Sequence, residues 1–333
     1  MPSVRVLAAT IALALVAAAC AGTSGDTLTV YSGRTEDLVG SLFEQFTEET
    51  GIEVAVRYAG STDLAATLRE EGSNSPADVF FAQDPASLGA VAESGLFARL
   101  SPDLLAIVDP RFSDTAGRWV GTSGRARVVV YDSTRLSPDA LPTSIAGFAA
   151  PEWEGRIGIA PTNGSFLAFV AAMVVMEGEE TTKTWLEALA ANNPGKYQKN
   201  SPIVAAVNGG EIEAGLVNHY YLLRLQAEEG QTAAANRFLA SGGPGSLVMP
   251  AGAGILASSD KQDEAALFIE FLLSAPAQEY FARETFEYPL ASDIPPIEGL
   301  PPLEELNAPM FDLSALAAAL DIATDLVAAA GLL

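Results

Sequence analysis

The stretch from Thr27 to Phe81, TLTVYSGRTEDLVGSLFEQFTEETGIEVAVRYAGSTDLAATLREEGSNSPADVFF, decides the fold. It opens with a short apolar run, which predicts a strand that Gly33 ends. Apolar residues at helical spacing then predict an amphipathic helix that stops at Gly51. An alternating strand over 52–58, a second helix and a buried strand up to Phe81 follow. This order is typical of an α/β layer with parallel strands.

The remainder of the chain continues with the same kinds of element. Further strands are predicted at 125–131, 156–160 and 214–217, and further helices at 166–176, 262–273, 277–286 and 313–333. Polar residues concentrate in loops that follow strands, at 32–36, 60–62, 82–84 and 162–165. Ligands of open α/β sheets bind at the carboxyl ends of strands, so these loops are the predicted site.

The composition is that of a globular protein with an acidic surface. The 333 residues include 42 acidic and 18 basic side chains, for a net charge of −24. A chain of this charge repels phosphate backbones, which argues against nucleic-acid binding. The length is enough for one large domain or two of medium size.

The N-terminus indicates export. Arg5 precedes an apolar run, Val6 to Ala19, that is too short to span a bilayer but suits a signal peptide. The run ends in AAAC, and Cys20 is the only cysteine in the chain. This pattern resembles a lipoprotein signal: residues 1–19 would be removed, Cys20 would carry lipid and 20–25 would form a tether. The alternative is an ordinary signal peptide cleaved nearby. Either way we expect an extracytoplasmic protein, in the periplasm or on the outer face of the membrane.

Sequence motifs for catalysis are missing. The chain has no Gly-x-Ser-x-Gly elbow, no P-loop, no His-Glu-x-x-His and no Cys-x-x-Cys, and it contains one histidine. We therefore expect a binding protein rather than an enzyme.

Several motifs together resemble a known family. They are, in chain order, VYSGR (30–34), PADVFF (76–81), WEGRIG (153–158), PTNGSF (161–166) and NHYY (218–221). With the lipoprotein start they resemble the periplasmic ferric-ion-binding proteins of ABC importers, a transferrin-like group of solute-binding proteins. The resemblance covers essentially the whole mature chain, and the tandem tyrosine is its most specific element.

The resemblance implies a fold and a function. The fold is α/β with two lobes, of the class II solute-binding type, with the ligand in the cleft between the lobes. Lobe one would comprise 26–125 plus 251–300, and lobe two 126–250 plus 301–333. The function would be to bind Fe³⁺, as a monomer, and deliver it to the permease subunits of the transporter. The alternative is the same fold carrying an organic solute such as a phosphonate, thiamine or a polyamine.

The tandem tyrosine, Tyr220 and Tyr221, also suits ferric iron on chemical grounds. Ferric iron is a hard cation that prefers anionic oxygen, and a coordinating metal can displace the proton of a phenol. Adjacent residues of a regular strand point to opposite faces, so both phenols can converge only at a turn or a helix start. Asn218 is the predicted N-cap of such a helix.

The remaining metal ligands depart from the family pattern. Where the family has a histidine and a carboxylate, this chain has Thr35 and Gln83. The nearby carboxylates of Glu36 and Asp84 are the candidates to complete the metal site together with Gln83. We expect His219 to pack near the site rather than to bind metal.

The resemblance also implies a synergistic anion, carbonate or phosphate. Asn163, Gly164 and Ser165 match a segment that presents N–H groups at a helix start, where anions bind. Asn200 and Asn218 match family positions that contact the anion. Arg34 and Arg125 are expected to add charged hydrogen bonds to the anion, and both argue against a polyamine. The alternative for either arginine is a salt bridge at the surface or between the lobes.

Overall fold

The computed structural model describes residues 27–291 and 294–333. The predicted signal peptide, the tether and Cys20 lie outside the described residues. The longer helices are α1 (Glu36–Thr50), α2 (Ser61–Glu71), α3 (Pro85–Glu93), α4 (Pro102–Leu105), α5 (Gly164–Glu177), α6 (Glu179–Ala191), α7 (Asn200–Asn208), α8 (Tyr220–Glu229), α9 (Gln262–Leu272), α10 (Ala275–Glu284) and α11 (Leu316–Ala329). The strands are β1 (Thr27–Ser32), β2 (Glu53–Tyr58), β3 (Val79–Ala82), β4 (Val120–Asp132), β5 (Ile157–Ile159), β6 (Gly195–Lys196), β7 (Ala214–Asn218), β8 (Ala234–Phe238), β9 (Val248–Ile255) and β10 (Tyr288–Pro289).

The first α/β layer forms as its sequence pattern predicts. The apolar stripe of α1 is buried, and the helix ends where Gly51 adopts a left-handed φ of 75°. β1 lies between β2 and β3 and pairs with both in parallel. The loops after β1 and β3 therefore emerge at one edge of the sheet.

The sheet has two halves that share the long strand β4. Its strand order is β2-β1-β3-β9-β4-β7-β5-β6, with β8 and β10 also paired to β4. Residues up to Ala126 pair with β9, and residues from Arg127 onward pair with β7. β9 is antiparallel to both of its neighbours, β3 and β4. The chain thus passes from one half to the other at Ala126, and the lobe boundaries inferred from the resemblance stay a prediction.

The last helix, α11, contacts both halves. It packs against α5 of the second half and α3 of the first. Just before it, Ser314 accepts a hydrogen bond from the indole N–H of Trp119 at 3.1 Å and donates one to Asp114 at 2.8 Å. Among the helices of the described residues, none combines the length and apolar character needed to cross a membrane.

The sequence-based assignment of elements is correct for β1 to β3 and for most long helices. It missed the helices α3, α4, α6 and α7 and the strands β6, β8 and β10. It also extended α10 to Phe286, whereas the helix ends at Glu284 and Phe286 has a positive φ of 59°.

Candidate functional site

A cavity of about 460 Å³ lies between the two halves of the sheet. Three of the four predicted loops contribute polar residues to its lining, and the first loop contributes only Gly33. Apolar side chains of α5, α11 and the approach to β9 complete the wall. The lining residues are Gly33, Gly60, Ser61, Thr62, Asp63, Gln83, Asp84, Pro85, Ala86, Arg125, Arg127, Asn163, Gly164, Ser165, Leu167, Ala168, Phe169, Asn218, Tyr220, Tyr221, Leu247, Met249 and Leu320.

The tandem tyrosine lies at the start of α8, as the argument from side-chain direction predicts. The rings of Tyr220 and Tyr221 stack with centroids 4.2 Å apart, and both line the cavity. Burial is the main cause that raises the pKa of Tyr220, and the neighbouring Tyr221 raises it further. The prediction that Asn218 caps α8 is wrong: Asn218 is the last residue of β7, and His219 occupies the cap position.

Two arginines of β4 reach this cavity. Arg125 donates to the backbone carbonyl oxygens of Gln83 and Pro250. Arg127 donates to the carbonyl oxygen of Leu216 at 3.1 Å and lies over the ring of Phe169. In the part of the chain that the structure describes, neither forms an ion pair with a carboxylate.

Arg127 was not predicted as a site residue. Burial lowers its pKa to about 10, against the opposing effect of Tyr221 and Tyr220. The sequence does point to Arg127, because residues two apart on a strand share a face and Arg125 is a predicted site residue.

The start of α5 forms the predicted polar turn. The Asn163 side chain accepts from the backbone N–H of Ser165 at 3.0 Å and from its hydroxyl at 2.7 Å. The fully buried Asn200 donates to the Ser165 hydroxyl at 2.9 Å, and its own Oδ1 has no partner. Gly164 and Ser165 line the cavity, whereas Asn200 supports them from behind.

The structure does not bring Arg34 into the cavity, contrary to its predicted role at an anion. Both terminal nitrogens of its guanidinium bind Glu287, at 3.0 and 3.1 Å. The pair is buried, and Ser123 also donates to Glu287, at 2.5 Å. The residue before it, Gly33, packs against Ser61, whose hydroxyl leaves no room for a side chain at that position.

The predicted carboxylate ligands also lie differently from expectation. Glu36 is exposed at the first turn of α1 and faces a separate groove with Glu44 and Tyr58, so it does not join the tyrosines. Asp84 lines the cavity, but its oxygens cap α3 through Ser87. Gln83 lines the cavity as well, and its backbone N–H donates to Ser61 at 2.9 Å. Asp63, which the sequence reasoning missed, adds an exposed carboxylate to the lining.

His219 is not oriented toward the cavity. Its Nδ1 accepts from the backbone N–H of Ala126 at 3.1 Å, and its Nε2 lies 2.8 Å from the carbonyl oxygen of Phe286. Burial lowers the pKa of His219 to about 4, so the imidazole is neutral at pH 7. His219 thus lies beside the cavity with both ring nitrogens bonded to backbone groups, and the expectation that it is not a metal ligand stays a prediction.

Across residues 27–291 and 294–333, no cluster of three or more His, Cys, Asp or Glu side chains is arranged to hold a metal ion. The anionic or ionisable oxygens of the cavity are the two phenols and the carboxylates of Asp63 and Asp84.

Comparison with known proteins identifies the family. The model of the bacterial extracellular solute-binding proteins matches residues 74–311. The chain belongs to this family. Its members bind solutes rather than convert them, so the expectation of a binding protein is confirmed by the match.

Individual relatives of this solute-binding protein are named for iron. It is 35% identical over 316 residues to the Fe(3+)-binding periplasmic protein of Serratia marcescens, covering 94% of this chain and 93% of that protein. It is 38% identical over 287 residues to the major ferric iron-binding protein of Neisseria meningitidis serogroup B, covering 85% and 86%. These relatives confirm the resemblance to ferric-ion-binding proteins found in the sequence.

Solved structures show the same fold. Iron-bound HitA from Pseudomonas aeruginosa superposes with a TM-score of 0.83 at 34% identity, covering 92% of this chain and 99% of HitA. A Trichodesmium protein in complex with iron and citrate has a TM-score of 0.81 at 25% identity, covering 92% of this chain and 100% of that one. The predicted two-lobed α/β fold of this solute-binding protein is confirmed by these matches.

Proposed function

We propose that this protein is the extracytoplasmic ferric-iron-binding component of an ABC importer. One observation carries the proposal: two stacked phenols, Tyr220 and Tyr221, share a cavity with two buried guanidiniums that form no ion pair with any carboxylate of the described residues. The names of the relatives support the choice of iron over the organic-solute alternative.

The phenols act as the principal iron ligands. Because burial raises the pKa of Tyr220, that phenol is protonated at neutral pH before iron arrives. Fe³⁺ displaces such protons, and the resulting phenolates are hard, anionic ligands of the kind this ion prefers. Iron loading therefore releases protons and produces a visible phenolate-to-iron charge-transfer band.

A synergistic anion, carbonate or phosphate, completes the iron site. Its proposed partners are Arg125, Arg127 and the start of α5 at Asn163, Gly164 and Ser165, with Asn218 beside them. The buried cationic charge of Arg125 and Arg127 favours an anion there, because an unpaired buried charge is costly. Asn200 holds Ser165 in place.

Protein oxygens other than the phenols contribute less. Gln83 is a neutral amide at the cavity wall, and the carboxylate of Asp84 is engaged by the cap of α3. The exposed carboxylate of Asp63 is the most available acidic group. This shortage of anionic protein ligands makes the bound anion more important for iron binding.

Iron delivery requires motion and attachment. Ligands divided between the two halves of the sheet favour a closed arrangement of the lobes, which the permease would then recognise. We propose that the protein is a monomer held at the membrane by lipid on Cys20. A Cys20→Ala variant should then move to the soluble fraction, and unchanged partition with membranes would contradict the anchor.

The decisive experiment compares Tyr→Phe variants inside and outside the cavity. Tyr220→Phe and Tyr221→Phe each remove one anionic ligand with little change in shape, whereas Tyr197→Phe removes a phenol bonded to Glu211 outside the cavity. Iron titration should show severe loss of affinity, of proton release and of the visible band in the first two variants. Tyr197→Phe should behave as wild type. Wild-type iron affinity in both cavity variants would refute the proposal.

A further inference from the structure

His219 stands between the strand and the helix that deliver the cavity residues, yet the proposed iron chemistry does not use it. It follows Asn218 of β7 and precedes Tyr220 of α8. The side chain is fully buried, and its ring contacts Tyr220, Phe238 and Tyr288, with the centroid of Tyr288 at 4.9 Å. A buried polar ring in this position needs partners for both nitrogens.

Both partners are backbone groups of other segments. The backbone N–H of His219 donates to the carbonyl oxygen of Ala126 at 3.0 Å, and the N–H of Ala126 donates to Nδ1 of the ring at 3.1 Å. Nδ1 must therefore be the bare nitrogen, so that Nε2 carries the hydrogen and donates it to the carbonyl oxygen of Phe286 at 2.8 Å. The neutral ring accepts from one segment and donates to another.

The two partners of the His219 ring, Ala126 and Phe286, lie in different segments of the chain. Ala126 lies on β4 between Arg125 and Arg127, where the strand passes from the first half of the sheet to the second. Phe286 lies just before Glu287, in the first half, and has the left-handed φ of 59° that costs energy for a non-glycine residue. His219 thus ties the start of α8 to the crossover strand and to a strained residue of the other half.

We infer that His219 is a positioning residue that fixes the phenols of Tyr220 and Tyr221 relative to the guanidiniums of Arg125 and Arg127. The inference rests on the proposed function. A ring held on both nitrogens sets the direction in which α8 leaves the sheet. The two arginines flank Ala126, which the His219 ring binds. One residue, His219, therefore aligns the proposed iron ligands with the proposed anion partners. Small errors in such an alignment weaken binding strongly, because ligands must converge on a single ion.

Packing alone predicts a different result, which makes the inference testable. Phenylalanine at 219 keeps an aromatic ring against Tyr288 but leaves the Ala126 N–H and the Phe286 carbonyl without partners. Asparagine retains an acceptor for Ala126 and loses the donor for Phe286. Phe238→Leu is the matched control, because Phe238 touches the His219 ring, with centroids 6.3 Å apart, without a hydrogen bond to it and does not line the cavity.

The experiment measures, for each full-length variant, the thermal unfolding of the apo form, the iron affinity with bicarbonate present and the position of the visible band. His219→Phe should lower iron affinity about tenfold to a hundredfold and shift the band, since the geometry of the phenolates changes. His219→Asn should fall between His219→Phe and wild type. Phe238→Leu should lose thermal stability yet keep the wild-type affinity and band.

Each outcome has a definite consequence. A wild-type band and affinity in His219→Phe, or the same loss of affinity in Phe238→Leu at equal thermal destabilisation, would overturn the positioning role. If His219→Phe does not fold, His219→Asn decides by the same two measurements. Absence of the visible band in the wild-type protein would instead refute the proposed iron function, which separates the two failures.

Discussion

Arg34 and Arg127 are both buried arginines near the junction of the two sheet halves, and their surroundings differ in one respect. Both terminal nitrogens of Arg34 bind the carboxylate of Glu287, and the Arg34 side chain is 0% exposed. Arg127 has carbonyl and amide oxygens around it and no carboxylate partner within the described residues. A paired charge is part of the scaffold, whereas an unpaired one favours an anionic ligand. The presence of a neighbouring carboxylate therefore distinguishes the structural arginine, Arg34, from Arg127, which is proposed to bind an anion.

The largest expected effect comes from breaking the buried ion pair between Arg34 and Glu287. Glu287→Ala leaves the buried charge of Arg34 without its carboxylate partner and should destabilise the apo protein by about 3–5 kcal/mol. Urea unfolding of the apo form measures this loss. The double variant Arg34→Met/Glu287→Leu should regain most of the stability, because apolar side chains can replace a buried pair. A single variant as stable as wild type would show that the pair does not support the fold.

Removing Arg127, which has no carboxylate partner within the described residues, should leave the apo protein stable but weaken iron binding. Arg127→Met keeps an apolar stem against Phe169 but removes the buried charge, so the apo protein should unfold at the same temperature or a higher one. Iron affinity in bicarbonate should fall about tenfold to a hundredfold, because one charge-assisted hydrogen bond to the anion is lost. Titration with and without bicarbonate is the measurement. An unchanged response to bicarbonate would place the anion elsewhere.

A smaller effect is expected at the start of α5. Asn163→Ala removes the cap that receives two hydrogen bonds from Ser165 and should cost about 1 kcal/mol of apo stability. It should also weaken the bicarbonate response, since Ser165 loses its fixed position. Asp312→Ala offers a control, because Asp312 caps a turn outside the cavity by accepting from the backbone N–H of Ser314. Equal loss of anion response in both variants would indicate a general effect of stability.

The most gradual effect concerns pH. Burial tends to raise the pKa of Glu287, but the charges of Arg34 and Arg125 and the Ser123 hydrogen bond outweigh it, so the pKa is lowered on folding. The folded state therefore keeps the carboxylate ionised at a pH where the unfolded chain binds a proton. Its stabilisation is present above the unfolded pKa, about 4.3, and is lost as pH falls through the folded value. Apo unfolding followed from neutral to acidic pH should show this decline, and Glu287→Gln should flatten it.

The sequence was sufficient where the determining contacts are local. Apolar spacing predicted β1, α1, β2, α2 and β3. The adjacency of Tyr220 and Tyr221 predicted that both lie at a turn or a helix start. The polar turn at Asn163 to Ser165 likewise depends on neighbours two residues apart. Such contacts can be inferred from a single chain without knowledge of its tertiary structure.

The failures have a common physical origin. Arg34 was expected at the anion because it lies in the first of the predicted loops. Its actual partner, Glu287, is 253 residues away in the chain, and nothing near Arg34 in the sequence indicates it. Glu36 was expected at the metal because it is the carboxylate next to Thr35 in the first loop, but as the first residue of α1 it faces a separate groove. Arg127 was overlooked although it shares a strand face with Arg125. Distant pairing and side-chain direction, rather than residue type, decided each case.

The place of β9 in the sheet has a consequence for the order in which the protein can fold. β3 gains its second neighbouring strand, β9, only when Phe80 pairs with Gly254. β4 also pairs with β9, which comes late in the chain. The first sheet half therefore cannot be completed by the N-terminal residues, however strong their local preferences. Closing so long a loop costs entropy before any contact repays it, which makes folding slow. A chain emerging N-terminus first would remain incompletely folded, with the cavity unformed, until its last third had followed.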